Sequence, residues 1–148
     1  MWEIIYICGV CDMEIKIGTS GDIPLLAKMN QRLIEDENAE TNLNLRQLEE
    51  RMNSFISSEY KAFLFFQNEK VIGYALCNTS KFPVYLRQFF ICRDERRKGY
   101  GKQAFQMLLN YLNTREIDID VYFHNIQGIA FWESLGFIKR CCGMRYKE

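Results

Sequence analysis

The most constraining stretch of this chain is Pro83 to Leu112, PVYLRQFFICRDERRKGYGKQAFQMLLNYL. It predicts a buried strand, a basic glycine loop and an amphipathic helix in immediate succession. Val84 to Cys92 is almost wholly apolar or aromatic, as a strand covered on both faces requires. A run of charged residues, Arg93 to Lys98, follows it. Beyond Gly99, Tyr100, Ala104, Phe105, Leu108, Leu109 and Leu112 recur at helical spacing along one stripe.

The junction Arg96-Arg97-Lys98-Gly99-Tyr100-Gly101-Lys102 carries the chemistry. A helix start leaves backbone N–H groups without partners and bears a partial positive charge. Glycines at 99 and 101 remove the Cβ atoms that would hold an anion away. With cations around it, such a junction suits a phosphate group. A solvated basic turn is the alternative reading of the same residues.

Arg96-x-x-Gly99-x-Gly101 after a hydrophobic strand resembles the acyl-coenzyme A pyrophosphate loop of the GNAT superfamily of N-acetyltransferases. A second block, Asn125-Ile-Gln-Gly-Ile-Ala-Phe-Trp-Glu-Ser-Leu-Gly136-Phe137, resembles the superfamily's late helix. The likeness extends from Met13 to the last residue and is greatest to small bacterial single-domain members. It implies an α/β fold with a mixed six- to seven-stranded sheet flanked by about four helices. It also implies transfer of an acetyl group from acetyl-CoA, with no metal, to a small-molecule or peptidic amine. On this reading the coenzyme meets Ile91, Cys92, Arg96, Arg97, Lys98, Gly99, Tyr100, Gly101, Lys102, Asn125 and Trp132. A backbone N–H near Phe89 would polarise the thioester carbonyl.

Trp132 departs from the resemblance. The superfamily often has a tyrosine there to protonate the leaving thiolate, and an indole N–H cannot serve as that acid. Trp132 reads equally as a core aromatic. The tryptophan keeps open a second function, a catalytically silent acyl-CoA-binding sensor.

The rest of the chain narrows the choices. At 148 residues it reads as one domain, 13–148, preceded by an extension, 1–12. The extension reads as an added edge strand, a homodimer contact or the product of an upstream start codon. Nineteen basic residues balance nineteen acidic ones. That balance argues against a nucleic-acid partner, including a charged tRNA, and against an anionic membrane. No stretch has the length of a membrane span, and Glu3 spoils a leader-like start. Cys8-x-x-Cys11 has no second pair to complete a zinc site, so reduced thiols in a cytoplasmic protein are expected.

In chain order the pattern reads β-α-α-β-β-β-α-β-α-β. The elements include a first strand from Met13 to Ile17, a hairpin turn at Asn68-Glu-Lys, a fifth strand from Ile117 to Tyr122 and a closing strand from Phe137 to Tyr146. The first helix places Ile23, Leu26, Ala27, Asn30, Leu33 and Ile34 on one face. The 100° step carries Glu37 to that face, sets Asp36 on its edge and turns Glu35 away. Amine acetylation needs a base for the ammonium, and Glu37 is the expected one. Asp36, Tyr85 and Arg87 are expected to contact the acceptor. Arg87 and Gln88 interrupt the central strand, and alternation sends them to opposite faces. Glu37 is a potential ion-pair partner for Arg87. Asn125 reads as a helix N-cap as well as a coenzyme contact. His124 is as readily structural as catalytic.

Overall fold

The computed structural model describes residues 6–7 and 12–148. Five strands form the body of one mixed sheet: β2 Met13–Ile17, β3 Tyr60–Gln67, β4 Lys70–Asn78, β5 Val84–Ile91 and β6 Ile117–Ile119. A two-residue segment, β1 Tyr6–Ile7, pairs antiparallel with β2 at the edge. The strands follow in spatial order β1 to β6. All pairings are antiparallel except β5 with β6, which run parallel across helix α3 Tyr100–Leu112. That crossover is what a strand-loop-helix unit demands, since parallel neighbours need a long connection.

The two sheet faces are covered by different helices. Helices α1 Ile23–Glu37 and α2 Leu45–Ile56 seal one face, with Leu26, Leu33, Met52, Leu64, Tyr74, Leu76 and Phe90 buried between. Helices α3 and α4 Ile126–Ser134 lie on the other, where Phe63, Phe65, Leu86, Phe105 and Leu108 are buried. Each helix boundary has a local cause. Asn44 caps α2, accepting from the Gln47 N–H at 2.9 Å while the Gln47 side chain accepts from the Asn44 N–H at 3.0 Å. The β3–β4 hairpin turns through Asn68 and Glu69, both with positive φ, as a two-residue turn of this hand requires.

Four expectations are corrected. The sheet has fewer full strands than six or seven. Residues 137–146 form no strand; adjacent charges at Lys139 and Arg140 and Gly143 break the alternation that pairing needs. Ion pairs hold this segment instead, Lys139 to Glu133, Arg140 to Asp118 and Arg145 to Glu40. The fifth predicted strand stops at Ile119 rather than Tyr122.

The fourth correction bears on the site. The β4–β5 register shifts between Leu76, opposite Gln88, and Cys77, opposite Leu86. Arg87 is therefore the extra residue of a β-bulge. The bulge resets the alternation, and Tyr85, Arg87 and Gln88 all line one cleft on the α1–α2 side.

Of the predicted extension, Tyr6, Ile7 and Asp12 fall within the described residues; Cys8 and Cys11 lie outside them. Deleting residues 1–12 removes the pairing of Tyr6 with Ile15 and Ile7 with Glu14. The melting temperature is expected to fall by a few degrees, corresponding to about 1 kcal/mol in a domain of this size. An unchanged melt and unchanged sedimentation would refute a structural role for the extension.

Candidate active site

The site is built where β5 loses a neighbour. The parallel pairing with β6 covers Val84, Tyr85 and Leu86 and then ends. From Arg87 to Ile91, β5 keeps β4 on one side and has no strand on the other among the described residues. A strand edge there presents unpaired backbone N–H and C=O groups.

That edge runs into the charged loop. Arg97 has φ 63° and Gly99 φ 80°, left-handed residues bracketing Lys98. A non-glycine residue held there costs about 1–3 kcal/mol. Left-handed turns of this kind point successive N–H groups inward as an anion cradle. Helix α3 starts at Tyr100, and the Gln103 N–H makes the first helical bond, 3.2 Å to the Gly99 carbonyl. The N–H groups of Tyr100, Gly101 and Lys102 precede that bond and have no helical acceptor. A Cβ on Gly101 would lie 3.1 Å from the Phe131 ring, so this glycine also lets α4 approach the loop.

The cations of the loop divide into two groups. Arg96 donates through Nε to the Ile91 carbonyl at 2.8 Å and through Nη2 to Asp36 at 2.5 Å, with its guanidinium over the Phe90 ring. Lys98 pairs with Glu95 at 3.2 Å. Arg97 and Lys102 have no carboxylate partner among the described residues. The sequence treats these four cations alike; the fold commits Arg96 to joining the loop to α1.

The C-terminal turn of α1 carries Glu35, Asp36 and Glu37 against an unfavourable helix dipole. Arg93 compensates the first two, at 3.0 Å from Glu35 and 2.9 Å from Asp36. Asp36, expected at the acceptor, is thus tied to both Arg93 and Arg96. Glu37 has no such cation among the described residues. Burial and the neighbouring Asp36 charge push its carboxyl above the ordinary range, and His124 only partly opposes them. His124 Nε2 lies 2.8 Å from the Glu37 backbone carbonyl and joins the end of α1 to the loop before α4.

Glu37 borders two clefts. One, of about 470 Å³, is lined by Asp36, Glu37, Asn38, His124 and the start of α4, Asn125 to Gln127. The other, of about 450 Å³, lies between α1, α2 and β5 and contains Asn30, Glu37, Arg51, Tyr85, Arg87, Asp120 and Tyr122 among others. Tyr85 donates to Asp120 at 2.8 Å; burial and that bond push its phenol up to about 12. Arg87 makes no ion pair with Glu37 and instead lies over the Phe55 ring, 4.9 Å from its centre.

Asn125 caps α4, accepting from the Gly128 N–H at 3.0 Å. Trp132 sits in an aromatic cluster with Phe89, Phe105, Phe131 and Phe137, at centroid distances of 4.9 to 5.6 Å. Ile91 is buried, and Cys92 lies just past β5, with its N–H bonded to the Ile72 carbonyl at 2.7 Å. Sequence reasoning missed Arg51, Asp120 and Tyr122. Arg51 could have been found: it falls three residues after Leu48 and four before Phe55, on the buried stripe of α2.

No helix among the described residues is long and apolar enough to cross a membrane. No cluster of metal-ligating side chains occurs among them. Comparison with curated proteins gives no match. Solved structures do share the fold. A possible acetyltransferase from Clostridium difficile 630 is 20% identical, with TM-score 0.73, over 92% of this chain and 97% of that one. A predicted acetyltransferase from Clostridium acetobutylicum, solved with acetyl-CoA, is 17% identical, with TM-score 0.69, over 91% and 96%. Aminoglycoside N-acetyltransferase AAC(6')-Iy, solved in complex with CoA, is 17% identical, with TM-score 0.69, over 92% and 94%. The model of the acetyltransferase (GNAT) family matches residues 27–137, and the chain belongs to that family.

Proposed function

We propose that this protein is an acetyl-CoA-dependent N-acetyltransferase that acetylates a small amine by direct transfer in the cytoplasm. The observation that carries this reading is the continuity of two binding features. The open edge of β5, Arg87 to Ile91, leads straight into the left-handed loop at the start of α3.

The loop fits a pyrophosphate through the N–H groups of residues 97–102, with Arg97 and Lys102 supplying free charge. Arg96 acts from behind, fixing the loop against α1. The pantetheine arm pairs with the edge of β5 and passes the cleft at Asn125. The Phe89 N–H region polarises the thioester carbonyl and stabilises the oxyanion formed on amine attack. Its collapse breaks the C–S bond, and the coenzyme leaves as a thiolate, its thiol pKa of about 8.5 requiring no side-chain acid. Trp132 supports Phe89 by packing rather than by proton transfer. The amine enters from the second cleft, so Glu37, shared by both clefts, is placed between amine and thioester as the base. Holding the two reactants together supplies most of the remaining acceleration.

A second reading, an acyl-CoA-binding module without turnover, rests on Trp132, whose place in an aromatic cluster offers no acid. Incubation with acetyl-CoA and a panel of amines, read by free thiol, separates the two. Amine-dependent thiol release is expected; tight coenzyme binding without release from any amine would favour the silent module.

A further inference from the structure

The second cleft holds a charge pattern that a simple amine does not use. Arg51 projects from α2 and Arg87 from the β5 bulge into the same space. The Arg51 Nη2 donates to the buried Asn30 Oδ1 at 2.7 Å, and its Nε is buried without a partner. Arg87 is steadied by the rings of Phe55 and Tyr60, 4.9 and 6.0 Å from their centres. Neither guanidinium has a carboxylate partner among the described residues. Burial and the nearby Arg87 charge both lower the proton affinity of Arg51.

The carboxylates of the cleft are otherwise engaged. Asp120 accepts from Tyr85, and Glu40 pairs with Arg145 at 3.3 Å. Among the described residues, Glu37 is the one cleft carboxylate with neither a cation nor a side-chain hydrogen-bond partner. The cleft therefore offers two guanidiniums without a carboxylate partner and one carboxylate, Glu37, with no side-chain partner among the described residues.

Resting on the transferase reading, we infer that the acceptor is an amino acid or similar small molecule bearing a carboxylate beside its amine. Arg51 and Arg87 receive that carboxylate, and the ammonium turns to Glu37. Guanidinium forks match a carboxylate in geometry as well as charge. A polycationic amine such as an aminoglycoside would set its charges against two arginines, which disfavours it.

The experiment uses the full chain with acetyl-CoA. Common α-amino acids are compared with their own α-carboxamides and with an aminoglycoside. Thiol release gives kcat/KM, and calorimetry on the coenzyme-saturated protein gives acceptor affinity. At least one amino acid should exceed its carboxamide by about tenfold or more, the size expected for a charge-assisted bidentate contact. Arg87→Gln should bring that ratio close to one, and Arg51→Gln should lower it, so the result does not hang on one variant folding. Equal use of acid and amide, preference for the aminoglycoside, or a ratio unchanged in both variants would overturn the inference. Acid-selective binding lost in Arg87→Gln but with no thiol released would uphold the carboxylate site and overturn only the transfer reading. Equal binding of acid and amide without thiol release would overturn both.

Discussion

Gly101→Glu is expected to weaken acetyl-CoA binding at least about 100-fold, measured by calorimetry on the folded variant. Bonds from backbone N–H groups to a charged acceptor contribute roughly 1.5–3 kcal/mol each, so losing two reaches that size. A glutamate in the first turn of α3 competes for the free N–H groups and repels the phosphates. It also suits the helix dipole, so the fold is not expected to suffer from the charge. Gly101→Ala separates charge from bulk. Its Cβ meets the Phe131 ring, 3.1 Å away, and a ring at the end of a flexible side chain can give by that amount. A loss of no more than a few-fold is expected for alanine. Undiminished binding by a folded Gly101→Glu protein would remove the loop from the coenzyme site.

The second large effect is at Glu37. Once an acceptor is known, Glu37→Gln should lose at least about tenfold in kcat/KM, within the usual range for a general base. Trp132→Phe should keep most of its turnover, because position 132 supplies packing against Phe89 and Phe105. The pH profile adds a signature. Glu37 works as the carboxylate, and burial raises its pKa. The acidic limb of kcat/KM should therefore fall above the ordinary glutamate range, and Glu37→Gln should abolish it. Stability should move the other way. A raised native pKa means the folded state binds this proton more tightly than the unfolded chain, so stability is lost as pH rises through that range. At neutral pH Glu37→Gln should melt no lower than wild type. A large loss confined to Trp132→Phe, with Glu37→Gln near wild type, would reverse the assignment.

The strand-loop-helix unit was legible because its signals are local. Apolar composition marks β5, helical spacing marks α3, and two glycines mark the turn between them. The phase of α1 was legible for the same reason and turned Glu37 towards the clefts. What failed was what depends on another strand. Strict alternation sends Arg87 and Gln88 apart, and only the register against Leu76 and Cys77 reveals the bulge that brings them together. The division among Arg96, Arg97, Lys98 and Lys102 was equally hidden. Asp36 lies 60 residues before Arg96 in sequence, and the fold alone brings them together. The closing strand fails for a local reason, since Lys139, Arg140 and Gly143 deny residues 137–146 a clean face.

The most direct test of acetyl transfer follows the acetyl group itself. Acetyl-CoA labelled on the acetyl carbon is incubated with the full chain and the preferred amine, and label is counted on amine, coenzyme and protein. Direct transfer predicts label on the amine in an amount equal to the free thiol, with none on the protein. Label remaining on a tightly bound coenzyme, or accumulating on a protein side chain, would contradict it.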